Sequence, residues 1–239
     1  MNIALISGTS GLVGMQLLHQ LLKQNSYDYI ISVGRRKLAL KHANLVQLAG
    51  NMSQIQNWNW EDQINSQSLG GEYVSLTQAI QEKKCTIQAF SSLGTTIKQA
   101  GSKEKFFEID HDLVLAFAKW AKSLGANGFY YVSALGADPQ SSVFYNEVKG
   151  KTEEDLKALD FEHLGIFRPS LLLGNRNEFR FGEKVATILM KPLVWLRLFK
   201  NMRPIYDYQV AKSMVKVALD NSRKGVEIIP SGEMQDLSK

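Results

Sequence analysis

Within its first 22 residues the chain runs from an apolar stretch, Asn2–Ser7, through Gly8-Thr9-Ser10-Gly11-Leu12-Val13-Gly14, into a segment whose apolar residues recur at steps of three and four. Few arrangements accommodate that succession. The stretch reads as a buried strand, and Val13, Leu17 and Leu21, with Gly14, Leu18 and Leu22, form the buried stripe of a helix that starts inside the turn. Glycines there let the backbone approach a ligand closely, and the first turn of the helix offers unpaired N–H groups and a positive dipole end to an anion. Strand, glycine turn and helix in that order make a dinucleotide pyrophosphate the expected ligand of Gly8, Thr9, Ser10, Gly11, Leu12, Val13 and Gly14. A tight turn with helix-packing glycines is the alternative, and it does not explain three at this spacing.

The alternation continues along the chain. Tyr29–Gly34 and Leu45–Leu48 read as the second and third strands, Thr86–Ser91 as the fourth, and Phe129–Val132 as the fifth. A long helix is expected over Lys105–Leu124 and another over Val143–Leu159. His163–Phe167 supplies a sixth strand that Arg168-Pro169 stops. Beyond Leu171 come two further helical patterns and a short strand near Val226–Ile229. Between Gly50 and Glu72 the chain is rich in Asn, Gln and Ser around Trp58 and Trp60, which predicts an elaborated surface loop. Strands alternating with helices specify an α/β fold, a doubly wound parallel sheet of the Rossmann type with a small C-terminal substrate-binding part. At 239 residues one domain over 1–239 is expected, its substrate side mainly in 170–239.

Composition removes several classes. The formal charge of +5 comes from scattered Lys and Arg residues, so nucleic acid is not the expected main partner. One cysteine permits no intrachain disulfide, and the four histidines lack metal-ligand spacing, so no metal is expected. The N-terminus has no basic region of a signal peptide. These features together predict a cytoplasmic protein acting on a small-molecule substrate, its oligomeric state left open. The most apolar later stretch, Val185–Phe199, is interrupted by Lys191, Pro192 and Arg197, and is too short and charged to span a bilayer. It suggests an apolar substrate or a lid, with an ordinary buried helix pair as the alternative.

About 20 residues past a glycine loop, an NAD site carries an acid for the ribose 2′-hydroxyl. Here the chain has Gly34-Arg35-Arg36-Lys37 instead. Arg35 and Arg36 can fork onto a 2′-phosphate, which favours NADP(H) over NAD(H); a solvated basic turn is the other reading. Further on, Val132-Ser133-Ala134 is followed by Tyr145-Asn146-Glu147-Val148-Lys149. On a helix the four-residue step puts Tyr145 and Lys149 on one face, one turn apart. A free phenol has a pKa of about 10, and an adjacent ammonium favours its ionised form. Tyr145 is then the candidate acid for carbonyl reduction and the base for alcohol oxidation, with Ser133 holding the substrate oxygen and Lys149 also reaching the nicotinamide ribose. The alternative makes Tyr145 a half-buried helix aromatic and Lys149 a surface residue.

With these motifs in place the sequence resembles the atypical and extended short-chain dehydrogenases/reductases, and among them the Tat-interacting-protein type of oxidoreductase. The resemblance rests on Gly8–Gly14, Val33-Gly34-Arg35-Arg36, Ser92-Leu93-Gly94-Thr95-Thr96, Val132-Ser133, Gly136-Ala137-Asp138, Tyr145–Gly150, Phe167-Arg168-Pro169-Ser170-Leu171-Leu172-Leu173-Gly174 and Pro204–Ala211. It implies that Ser133, Tyr145 and Lys149 occupy catalytic positions, that Leu93, Gly94 and Thr95 lie on the adenine-ribose side, and that Pro169, Leu171 and Leu172 run beside the nicotinamide. Two positions depart from the family pattern. Gly50-Asn51 stands where many members have an adenine-contacting Asp, and Asp110 where many have the Asn of a proton relay. Three functions remain in view: an NADP(H)-dependent oxidoreductase, an NADP(H)-binding regulatory or scaffold protein with little chemistry, and an epimerase or dehydratase holding NAD.

Overall fold

The computed structural model describes residues 1–67, 73–174 and 197–239. Its first half contains β1 (Asn2–Ser7), α1 (Leu12–Lys23), β2 (Tyr29–Gly34), β3 (Leu45–Ala49), α2 (Trp60–Ser66), α3 (Val74–Gln81) and β4 (Thr86–Ser91). Then come α4 (Ile97–Ala100), α5 (Lys103–Phe107), α6 (Leu113–Ser123), β5 (Ala126–Val132), α7 (Phe144–Lys157) and β6 (His163–Arg168). The chain finishes with β7 (Leu172–Leu173), β8 (Ile205–Tyr206), α8 (Asp207–Ala218), β9 (Gly225–Pro230) and α9 (Ser231–Leu237). Seven strands form one sheet in the order β3-β2-β1-β4-β5-β6-β9, every neighbouring pair parallel. The doubly wound α/β fold expected from the sequence is the one observed.

Strand geometry divides the core in two. Successive side chains point to opposite faces, so Ile3 and Leu5 pack among residues of α2, α3, α6 and α7, whereas Ala4 and Ile6 pack among those of α1, α8 and α9. Ile3, Leu5, Ile6 and Leu17 are fully buried, and each such side chain contributes roughly 1.5–3 kcal/mol. The order of the strands reverses between β1 and β4, which opens a crevice at their C-terminal ends.

Several elements differ from the sequence reading. The polar stretch after Gly50 is not a plain loop: Met52–Asn57 forms a 3-10 turn and Trp60–Ser66 is α2. Its asparagines act as helix caps. Asn51 Oδ1 accepts from Ser53 N, and Asn59 Oδ1 from Glu61 N and Asp62 N. Both tryptophans serve the core, Trp60 buried and Trp58 edge-on to Trp120 at 6.1 Å. The expected helix over Lys105–Leu124 is two helices joined by a π turn, Glu108–Asp112. β5 begins earlier than expected, at Ala126. A short ladder between β7 and β8, separate from the main sheet, had no signal in the sequence. Of the apolar stretch 185–199, residues 185–196 lie outside the described residues; a 3-10 turn covers Arg197–Met202.

Candidate active site

The glycine turn lies where β1 meets the crevice, and packing accounts for two of its glycines. Gly8 has φ +83°, and a Cβ there would come within 2.6 Å of the Ser92 carbonyl carbon. A Cβ on Gly14 would sit 2.0 Å from Gly8 O, so the helix can lie against the turn only without one. Gly11 is different: its Cβ would meet only Gly8 O, at 3.2 Å. Among the described residues that leaves open space above the N-terminus of α1, where no side chain caps the first N–H groups. Space, free donors and the helix dipole are what a pyrophosphate requires. Thr9 is buried with its hydroxyl 3.0 Å from Ser32 Oγ, which commits its side chain to β2. Ser10 is exposed, Leu12 half-buried and Val13 buried.

Arg35 and Arg36 are exposed just past β2, beside β1. Among the described residues neither has an ion pair, which leaves both guanidinium groups available to a 2′-phosphate. On the other side of β1, Ser92 Oγ shares its one proton between Ser7 O and Gly8 O, 3.1 and 3.3 Å away. This locks the Leu93-Gly94-Thr95 turn against the glycine turn. Leu135 N donates to Pro169 O, and Ile205 N to Leu171 O. Leu172 belongs to β7, and Gly174 packs so closely on Leu12 and Asp207 that a Cβ would come within 2.7 Å of each.

Helix α7 carries the titratable groups. Tyr145 is half-buried, its ring 5.7 Å from that of Phe106. One turn on, Lys149 is buried; its Nζ donates to Tyr131 Oη at 3.0 Å and lies 2.9 Å from Asp110 Oδ1. The latter is an ion contact without an aligned hydrogen bond. Asp110 is itself buried, and its Oδ2 accepts from Thr95 N at 2.8 Å. Burial, the largest influence on Lys149, works against its charge. Asp110, then Tyr131 and Tyr145, more than offset it, so the ammonium's pKa lies well above that of free lysine. Burial pushes the Tyr131 phenol up to about 12, Lys149 acting in the opposite sense.

Ser133 is placed otherwise than the sequence suggests. Its hydroxyl donates to Glu153 Oε1 at 2.5 Å, and Glu153, buried one turn beyond Lys149, also accepts from Arg168 Nε and Nη2 at 2.9 and 2.5 Å. A serine has one proton to give. In this arrangement Ser133 offers lone pairs to a substrate and no donor. The structure therefore brings Lys149 together with Asp110 and Tyr131, and Ser133 with Glu153 and Arg168. Sequence reasoning missed Tyr131, Glu153 and Arg168. A signal existed: Glu153 follows Lys149 by four, on the helix face that carries Tyr145.

Comparison with known proteins gives a consistent picture. The model of the NAD dependent epimerase/dehydratase family matches residues 4–217. The chain is 32% identical over 240 residues to Protein FMP52, mitochondrial, of Eremothecium gossypii, covering 99% of this chain and 97% of that one. It is 35% identical over 181 residues to Protein HTATIP2 of Rattus norvegicus, covering 76% and 67%. Among solved structures, the Bordetella bronchiseptica enzyme WbmH in complex with NAD+ superposes with a TM-score of 0.63 at 16% identity over 100% of this chain and 80% of that one. A UDP-glucose 4-epimerase from Thermotoga maritima gives 0.61 at 15% identity, over 97% and 77%. These likenesses corroborate the fold. They also correct the cytoplasmic expectation, because FMP52 proteins from several fungi carry mitochondrial in their names. The physical reason is simple. Sparse cysteines report a reducing environment, and more than one compartment provides that.

Proposed function

Because the chain belongs to the NAD dependent epimerase/dehydratase family, we propose that it is an NADP(H)-dependent oxidoreductase that reduces a carbonyl, or oxidises an alcohol, of a small apolar substrate. The observation that carries this reading is Lys149: a buried ammonium held charged one helical turn from Tyr145, at the crevice beside the glycine turn. The backbone at Gly8–Gly14 would hold the pyrophosphate, Arg35 and Arg36 the 2′-phosphate, and the Leu93–Thr95 and Pro169–Leu172 segments the walls. A bound nicotinamide dinucleotide supplies or accepts the hydride. Tyr145 gives the proton to the substrate oxygen in reduction and takes it in oxidation. Lys149 stabilises the resulting phenolate and binds the nicotinamide ribose. Ser133 holds the substrate oxygen by turning its one proton from Glu153 Oε1 to it when substrate binds. Leu135 and Val143, 42% and 56% exposed beside Ser133 and Tyr145, support an apolar substrate.

The experiment is NADPH oxidation by the purified protein against aldehydes, ketones and quinones, with NADH as control. Turnover that prefers NADPH and falls at least about 100-fold in Tyr145→Phe, while NADPH affinity persists, is expected. A second reading, an NADP(H)-binding regulatory or scaffold protein, draws on the Ser133 proton being committed to Glu153. Tight NADPH binding with no turnover across the panel would favour it. The relatives' names support a mitochondrial location, which fractionation of the native cells tests; recovery in the cytosol alone defeats it.

A further inference from the structure

The reading above gives Asp110, a buried carboxylate on the π turn Glu108–Asp112, no part of its own in the reaction. Three contacts hold it in place. Its Oδ2 is fixed by Thr95 N at 2.8 Å, and its backbone carbonyl, 3.1 Å from Thr152 Oγ1, shares that hydroxyl's proton with Val148 O at 2.8 Å. Its neighbour His111 bridges Asp112 and Asp155 at 2.8 and 2.9 Å, tying the same turn to α7. The turn is π-helical, with Leu113 N bonded to Glu108 O. Such bulges rotate side chains away from their regular helical direction, and here Asp110 Oδ1 is 2.9 Å from Lys149 Nζ. Gly94 leaves the room: a Cβ there would be 3.3 Å from Asp110 Oδ1 and 3.7 Å from Lys149 Nζ.

We propose that Asp110 is a positioning residue for the reaction: it fixes the site of Lys149 and keeps that lysine an ammonium throughout the working pH range. The proposal rests on the oxidoreductase reading of Tyr145 and Lys149. The groups facing the ammonium are Asp110 from the π turn, Tyr131 from β5 and Tyr145 from α7 itself; Glu153 is turned to Arg168. Among these Asp110 alone is a carboxylate, so it alone can set a full negative charge against the ammonium. Take that charge away and burial is left to govern Lys149, which then loses its proton more readily. A neutral amine neither stabilises a phenolate nor keeps its third donor for a ribose hydroxyl.

The test is a pH titration of ¹³C-labelled lysine side chains by NMR in the full chain without added dinucleotide, the Lys149 signal assigned by its loss in Lys149→Met. In Asp110→Asn, which keeps the size and the acceptor for Thr95 N, the Lys149 midpoint should fall by about 1–3 units. Turnover of Asp110→Asn on whichever carbonyl the substrate panel identifies should then decline at alkaline pH, about tenfold per unit above the new midpoint. Wild type should not decline over that range, and Asp110→Glu should restore part of the difference. An unchanged Lys149 midpoint, or a loss of turnover uniform with pH, overturns the proposal and leaves Asp110 a structural residue. Should Asp110→Asn not fold, wild type decides: a Lys149 midpoint at or below that of free lysine, about 10.4, overturns it, and one above supports it. A protein that turns over no carbonyl but shows the NMR shift refutes the oxidoreductase reading and not the Asp110–Lys149 coupling.

Discussion

Replacing Gly14 by alanine sets two known effects against each other. On an exposed helix the exchange stabilises by about 1 kcal/mol. Here the new Cβ would lie 2.0 Å from Gly8 O, more than an ångström inside ordinary contact, and 2.6 Å from Ser92 Oγ. The serine side chain can rotate; the carbonyl cannot readily move. It belongs to a turn closed by the Gly11 N to Gly8 O bond at 2.9 Å and is backed by Ser92. Overpacking of this kind costs about 1–3 kcal/mol, and the shortness of the contact puts it near the upper end. The net loss should be about 2 kcal/mol, a fall in Tm of about 4–8 °C for a chain of this size. NADPH affinity should fall with it, because the turn has to shift. Gly11→Ala is the partner experiment: its Cβ has only the 3.2 Å contact, so stability should change by less than about 1 kcal/mol. The methyl group nevertheless occupies the space left for a pyrophosphate, and NADPH affinity should fall about tenfold or more. Scanning calorimetry and fluorescence titration read both quantities. A Gly14→Ala protein that melts with wild type, or a Gly11→Ala protein that binds NADPH normally, refutes the assignment of packing to the one glycine and ligand approach to the other.

Two further outcomes follow from the same geometry. Arg35→Ala and Arg36→Ala together should weaken NADPH about 10²-fold, two charged hydrogen-bonding groups being lost, and leave NADH nearly unchanged; equal losses for both nucleotides would dismiss the 2′-phosphate role. Glu153→Gln should lower stability by about 2 kcal/mol in urea unfolding, less than the 3–5 kcal/mol of a fully buried pair. The discount is for Arg168, 27% exposed and able to recover some solvation; an unchanged midpoint would mean that the pair contributes nothing.

The sequence made most of this architecture legible, because glycine turns and strand periodicity are local signals. β1, β2 and β4 fall within their expected bounds, and α1 buries the stripe of Val13, Gly14, Leu17, Leu18 and Leu21 read from the sequence. The stretch after Gly50 misled for a physical reason: asparagine and serine mark both loops and helix caps, and only the structure separates Asn51 and Asn59 as caps from loop residues. In the site, Tyr145 and Lys149 were visible because four-residue spacing on a helix is a local rule. The contacts of Lys149 with Tyr131 and Asp110 were not. Tyr131 and Asp110 reach it from a strand and a separate helix, and no sequence spacing encodes where those elements pack. Ser133 shows the opposite limit. Its position was legible, but the direction of its proton depends on Glu153, which comes 20 residues later.

The contact of Gly8 with Ser92 bears on how the protein matures. The glycine motif is complete at Gly14, yet the wall that holds Gly8 in place comes from Ser92 and Leu93, synthesised nearly eighty residues later. A nascent chain therefore carries the motif long before it carries the site, and nucleotide cannot assist folding until β4 has docked beside β1. The same holds for grafting: the seven residues moved to another sheet would be letters without the neighbour that gives them their shape.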